Sequence, residues 1–370
     1  VGCPQRPGSR HHQRGIYAGI CAGNRQQHAG FVVYVGCFNY AQQPDRYYAF
    51  VELRCAMQRL EFRAMGCHML AVIDRDDERA DAQLRAVPGW FEEWEQQLSR
   101  FRADSDLSRL NAAAGRPVAV APALWKVIRL ALDAARQSDG LVRPTVLDAL
   151  EAAGYDRSFV SIARDSAGLP APAVPPDWRA IEIDQRASTV TLPAGVRLDL
   201  GGVAKGWAAE QAVRRLAATG PALVDAGGDI AISGPMADGL AWPIAIANPL
   251  VADATLGLLR IVQGAVATSG RDYRHWRKGG AEQHHIIDPR TGCPADTDVL
   301  AATVVAPDGP LAEVAAKVAL ILGSRAGLAW LDQRPTLAGL LVLADGRVLR
   351  SRRLDAYIDS TTVPQSALQS

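Results

Sequence analysis

From Met57 onward, short apolar runs with strand spacing and longer runs with helical spacing follow one another without a regular strand–helix alternation. That irregular order excludes a simple doubly wound sheet and points to an α+β or mixed α/β fold. Met69–Ile73 reads as a strand, and a helical stretch follows that Pro88-Gly89 is expected to interrupt before Trp90. Ala123 to Gln137 repeats apolar residues at helical spacing, with Leu124, Val127, Ile128, Ala131, Leu132 and Ala135 on one stripe and Asp139-Gly140 as its stop. Further strands are expected at Ala180–Ile183, Thr189–Leu192, Val196–Leu200, Ala222–Ala226, Leu258–Val262, His285–Ile287 and Ala301–Val305. A helix from about Val203 to Ala218 and another from about Pro310 to Leu322, the latter with Asp308 near its start and Gly323 beyond its end, complete the framework. The last hairpin turns on Asp345-Gly346.

Charge separates the chain into two unequal parts. Residues 1–44 contain no Asp or Glu but several Arg and His, and four of the six cysteines (Cys3, Cys21, Cys37, Cys55) lie before Met57. A disordered extension, or sequence upstream of the true start, is favoured for residues 1–56 over a targeting segment, whose apolar stretch would be short. Residues 57–360 are read as the folded domain and 361–370 as a tail. Over the whole chain 40 Lys plus Arg nearly balance 39 Asp plus Glu, so no overall field favours nucleic acid. No run reads as a transmembrane segment, and no disulfide framework is inferred.

The strongest local pattern is Val196-Arg-Leu-Asp199-Leu-Gly201-Gly202-Val-Ala-Lys205-Gly206. A strand that ends on Asp199, two glycines and a helix start together make an anion site, because unpaired backbone N–H groups point outward there, and Lys205 adds a mobile positive charge. The bland alternative is a tight turn beside a surface lysine. Asp225-Ala-Gly-Gly-Asp229 is a second glycine turn, and Thr268-Ser269-Gly270 offers two hydroxyls that could donate to phosphate or bond within their own turn. In His284-His285, strand geometry lets only one imidazole face a given site; His285 is the choice.

Taken in order, Met65-Gly66, Ser99-Arg100-Phe101 with Asp104 to Asn111, Asp139-Gly140 with Pro144-Thr145-Val146, Asp199 to Gly206, Gly227-Gly228-Asp229, Thr268-Ser269-Gly270 and His285-Ile-Ile-Asp288-Pro289 resemble the ApbE family, the FAD:protein FMN transferases. The resemblance runs from about Met57 to Leu343. It implies an ApbE-like, T-fold-related architecture, with mixed sheets and helices packed around a central FAD cleft. It also implies that FAD is the substrate, that FMN passes to a Thr or Ser hydroxyl of an acceptor flavoprotein, and that AMP is released. The same resemblance places Met65, Leu141, Val142, Arg143, Asp199, Lys205 and His285 at the cofactor, and Thr268 and Ser269 are added to that set as possible donors. His285 and Lys205 are the catalytic candidates.

Magnesium is implied at Gly202, Glu313 and Ala316, but Lys317 stands where the family has a Thr ligand. Two readings of that exchange stay open: an ordinary i,i+4 pair between Glu313 and Lys317, or an ammonium standing in the place of the metal. Arg143 likewise replaces an acidic residue of the family. Acceptors in the family are flavoprotein subunits of redox systems, carrying the hydroxyl in a Ser-Gly-Ala-Thr-like motif. A non-transferase flavin-binding protein of the same fold, or an FAD pyrophosphatase giving FMN and AMP, are the alternative functions. A cytoplasmic location is expected ahead of a lipid-anchored one outside the cytoplasm.

Overall fold

The structure is a computed structural model that describes residues 33–35, 57–113, 115–168 and 171–358. The expected extension and tail therefore lie outside the described residues, apart from Val33–Val35, which pairs in parallel with Ile244–Ile246.

An eight-stranded sheet organises the chain: β1 (Gln58–Ala64), β2 (Cys67–Ile73), β3 (Ala222–Ala226), β4 (Asp229–Ile232), β5 (Gly264–Gly270), β6 (Val299–Ala306), β7 (Ala338–Leu343) and β8 (Val348–Arg350). Each strand pairs antiparallel with its neighbours in the chain order of the sheet. The helices and smaller sheets are insertions between these strands.

Both faces of this sheet are covered, which explains why β2 reads as an unbroken apolar run. Met69, Ala71 and Ile73 point into one core with the helices, while Leu70 and Val72 point into another. The helical layer is α1 (Glu78–Leu98), α2 (Pro122–Gln137) and α3 (Ala204–Leu216). On the opposite face the antiparallel pair Trp242–Ala247 and Thr255–Ile261 contributes Trp242, Ile244, Ile246, Leu259 and Ile261. A fourth helical segment, α4 (Gly309–Asp332), packs on β5, β6 and β7 through Ala312, Ala315, Ala316, Ala319 and Leu320.

Several expectations need correction. First, Pro88 does not interrupt its helix: α1 runs through it. An interior proline costs roughly 3 kcal/mol, but α1 buries Leu84, Val87, Phe91, Trp94 and Leu98. Phe91 meets Phe62 and Trp94 edge-on, and Trp94 meets Trp207, at centroid distances of 5.2–5.3 Å. That apolar burial outweighs the lost bond.

Second, Val196–Leu200 joins no sheet. Its backbone is satisfied instead by the Asn111 side chain, which bridges Leu198 N–H and C=O, and by Pro144 C=O, which accepts from Asp199 N–H. Third, Thr268-Ser269-Gly270 is the end of β5 and not a turn. Conversely, α4 is long and apolar enough to cross a membrane by length and composition alone, yet 56% of its most apolar window is buried. Its helical dihedrals also break at Gly323, with φ +78°, where the helix was expected to stop.

Candidate active site

The site begins at the turn between β1 and β2. Ala64 pairs with Cys67, so Met65 and Gly66 alone close the hairpin, both with positive φ (49° and 67°). Such a turn matches the twist of the strands but favours small residues at both positions. A methionine there is uncommon, and it is held by a bond from its N–H to Glu95 Oε2 at 3.0 Å.

A second group of residues surrounds Arg100. Its Nε lies 2.7 Å from Asp199 Oδ2 as an ion pair, and Nη2 donates to Tyr155 C=O at 2.7 Å. The guanidinium carbon lies over the rings of Phe101 and Tyr155, 4.1 and 4.8 Å from their centroids, and the two rings are themselves in contact at 5.6 Å. The other oxygen of Asp199 accepts from Gly201 N–H at 2.9 Å, closing the Asp-Leu-Gly turn. Asp199 thus fixes a tight turn and anchors an arginine at the site.

The third group joins α3 to α4. Gly206 and Gly309 touch backbone to backbone: a Cβ on Gly206 would stand 2.5 Å from Gly309 O. This approach presents Gly206 N–H to Glu313 Oε2 at 2.9 Å. Glu313 Oε1 accepts from Lys205 Nζ at 3.1 Å and from Lys317 Nζ at 3.0 Å, and Lys205 also bonds Asp229. Burial alone would raise the Glu313 carboxyl, but the two ammonium charges and the Gly206 bond outweigh it and hold it low. Lys205 is held above its ordinary value, since the charges of Asp229 and Glu313 more than offset its burial. Asp225, beside them in sequence, is pushed up to about 7 by burial, although it accepts from Gly228 N–H.

These groups border one cleft of about 320 Å³. Its walls carry Met65, Leu141, Val142, Arg143, Asp199, Gly202, Lys205, His285 and Lys317, so most of the residues singled out in the sequence meet in one place. Among the cleft's cations, Arg100, Arg102, Arg143, Lys205, Arg274 and Lys317 face only two acidic residues, Glu95 and Asp199. Apolar surface comes from Leu98, Val146, Leu150, Leu200, Ile286, Ile287 and Ile321. Thr268 and Ser269 do not line it: the Thr268 hydroxyl shares a bond with that of Thr303 across the sheet, and Ser269 is buried. Glu313 and Ala316 lie behind the wall, fully buried.

The histidine pair does divide, but not by alternation along the expected strand His285–Ile287: the strand ends at His284, His285 sits in a bend, and pairing resumes only at Ile287. His284 is buried, with Nε2 3.1 Å from Ala295 C=O and Nδ1 accepting from Ile286 N–H, and burial pushes it down to about 4. His285 faces the cleft, its ring edge-on to Tyr155; its Nδ1 is buried with no partner among the described residues. Burial, followed by the positive charge of Arg274, holds His285 well below the usual histidine value, so it is neutral at pH 7. Arg143 reaches Pro289 C=O at 3.1 Å through Nη2, while its Nε is buried without a partner among the described residues. Sequence reading missed Tyr155, Arg274 and Glu95, which stand in no recognisable pattern and reach the cleft only through the fold.

The profile of the ApbE family matches residues 65–341. The chain belongs to the ApbE family. It is 33% identical to the FAD:protein FMN transferase of Treponema pallidum, over 77% of this chain and 83% of that one. With the FAD:protein FMN transferase of Klebsiella pneumoniae it shares 30% identity over 78% and 89% of the two chains. The crystal structure of the ApbE protein of Thermotoga maritima superposes with a TM-score of 0.74 at 25% identity, covering 82% of this chain and all of that one. The flavin transferase ApbE of Vibrio cholerae shares the fold, with a TM-score of 0.68 at 24% identity over 81% and 99% of the chains.

The residues named for magnesium are Gly202, Glu313 and Ala316. Magnesium demands near-octahedral oxygen ligands at about 2.1 Å. Glu313 is the only carboxylate of the three candidates, and its oxygens already accept from two ammoniums and a backbone N–H. No group of three or more His, Cys, Asp or Glu is placed to hold a metal among the described residues. As arranged, this set does not fit the ion.

Proposed function

We propose that this chain is an FAD:protein FMN transferase. FAD occupies the cleft, its FMN half passes to a Thr or Ser hydroxyl of an acceptor flavoprotein, and AMP leaves. The observation that carries the reading is the lining of the cleft: broad apolar and aromatic surface for a planar ring system, joined to cationic side chains for a diphosphate. The names of the relatives support it.

In the reaction the acceptor oxygen attacks the phosphorus on the FMN side, in line with the bond to AMP. That P–O bond breaks, AMP takes the electron pair, and the hydroxyl proton must go to a base. His285 is neutral, faces the cleft and has an unpartnered ring nitrogen, so it is the group placed to accept that proton. Its resting basicity is low, but an anionic diphosphate beside the ring favours the imidazolium and raises it. Charge developing on the phosphoryl oxygens meets the ammoniums of Lys205 and Lys317. Tyr155, Phe101 and the stacked Arg100 give the site a rigid wall.

The test is incubation of the full chain with FAD and a peptide carrying a Ser-Gly-Ala-Thr-like acceptor motif, following AMP release and peptide mass. Flavinylated peptide in proportion to AMP is the expected result, and His285→Ala should slow it by about a hundredfold while leaving FAD binding within a few fold. Free FMN and AMP with unmodified peptide would mark a pyrophosphatase. FAD binding without AMP would mark a flavin-binding protein.

A further inference from the structure

We infer that Lys317 and Lys205 form a resident cationic clamp for the FAD diphosphate, so that this chain binds its substrate without a divalent cation at Glu313. The inference rests on FAD being the ligand of the cleft, as proposed above.

Two lysines converge on one oxygen. Glu313 Oε1 accepts from Lys205 at 3.1 Å and from Lys317 at 3.0 Å, Oε2 accepts from Gly206 N–H, and the residue is wholly buried. Asp229, also buried, takes a second donor of Lys205. Two ammoniums against two carboxylates leave the cluster electrically balanced. A divalent cation added to it would carry an excess charge into a buried site and would have to displace an ammonium from Oε1.

The carboxylates are behind the wall, but the lysines are part of it. Their side chains retain 16% and 18% of their exposure, while that of Glu313 retains 1%. An ammonium has three donors; the bonds to Glu313 and Asp229 use one on Lys317 and two on Lys205. The donors left over are available on the cleft side, where Arg143 and Arg274 add positive charge. Glu313 therefore acts as a positioning residue. It holds two ammoniums on one oxygen, at 3.1 and 3.0 Å, an arrangement that two mobile lysines would not keep unaided.

The test compares FAD affinity of the wild-type chain, by quenching of flavin fluorescence, in EDTA and in millimolar magnesium, together with the melting temperature of the ligand-free chain in both. Affinity equal within about twofold and an unmoved melting temperature are expected. Lys317→Ala should weaken FAD by about tenfold in EDTA, and added magnesium should recover part of the loss because Oε1 has lost one of its two ammonium donors; Lys317→Arg should stay within about threefold of wild type. Wild-type affinity that falls about tenfold in EDTA, with magnesium raising the melting temperature, would overturn the clamp while leaving the FAD reading intact. So would a Lys317→Ala chain that binds FAD in EDTA as tightly as wild type. Failure of wild type to bind FAD under either condition would instead remove the FAD reading and the clamp with it.

Discussion

Met65 shows how one residue can serve the site at the expense of the fold. It holds φ +49° in a two-residue turn, a conformation that costs a non-glycine residue about 1 kcal/mol, and its side chain lines the cleft. Met65→Gly should therefore raise or preserve the melting temperature while weakening FAD several-fold; loss of stability with unchanged FAD affinity would show that the methionine is retained for packing. His284 makes the opposite kind of contribution. Its folded value of about 4 lies below the ordinary 6.5, so the fold prefers the neutral ring. Stability is fully present above pH 6.5 and is lost as the pH falls toward 4, by about 2 kcal/mol at pH 5. His284→Gln, which does not titrate, should flatten the fall in stability between pH 7 and pH 5 by about that amount, whatever its stability at pH 7. Denaturant melts at the two pH values measure this, and a slope equal to wild type would refute it.

Among the elements, the contact of α3 with α4 decides the geometry of the charged cluster. Alanine is normally the better helix former by about 1 kcal/mol, but at Gly206 a Cβ would meet the Gly309 carbonyl at 2.5 Å. Backbone, unlike a flexible side chain, has little room to give. Gly206→Ala should thus destabilise the chain by about 1–3 kcal/mol and weaken FAD by pulling Lys205 away from Glu313; a higher melting temperature would show that the helices can part freely. This contact was not legible in the sequence, where Gly206 only closed the glycine-turn pattern inside the helix expected from about Val203. What was legible followed from local rules: the apolar stripe of α2, the break at Gly323 and the Asp345-Gly346 hairpin; His285 does face the cleft, but from a bend after the strand and not by alternation along it. What failed did so where long-range packing replaced a local rule. Pro88 sits inside a helix because aromatic burial holds it there. Val196–Leu200 looks like a strand but is bonded to Asn111 and Pro144. Thr268 and Ser269 read as a ligand turn, yet they extend β5.

In the molecule as a whole, the cleft gathers its walls from segments spread between Met65 and Ile321, and no one of them forms it alone. The chain order of the sheet explains how: the strands follow in sequence, and the helices that carry Glu95, Lys205 and Lys317 are inserted between them. A ligand that touches all of these segments ties the sheet, the helical layer and α4 together. It stabilises only the state in which all are in place, by about 2.7 kcal/mol when free ligand is a hundred times its dissociation constant. Calorimetry of the full chain should then show one unfolding transition for the residues of the domain, moved upward by several degrees at saturating FAD. FMN and AMP, which each span part of the cleft, should move it less at the same concentration. Two transitions, only one of them responding to FAD, would mean that the cleft belongs to a subset of these elements and that the rest of the sheet folds independently of it.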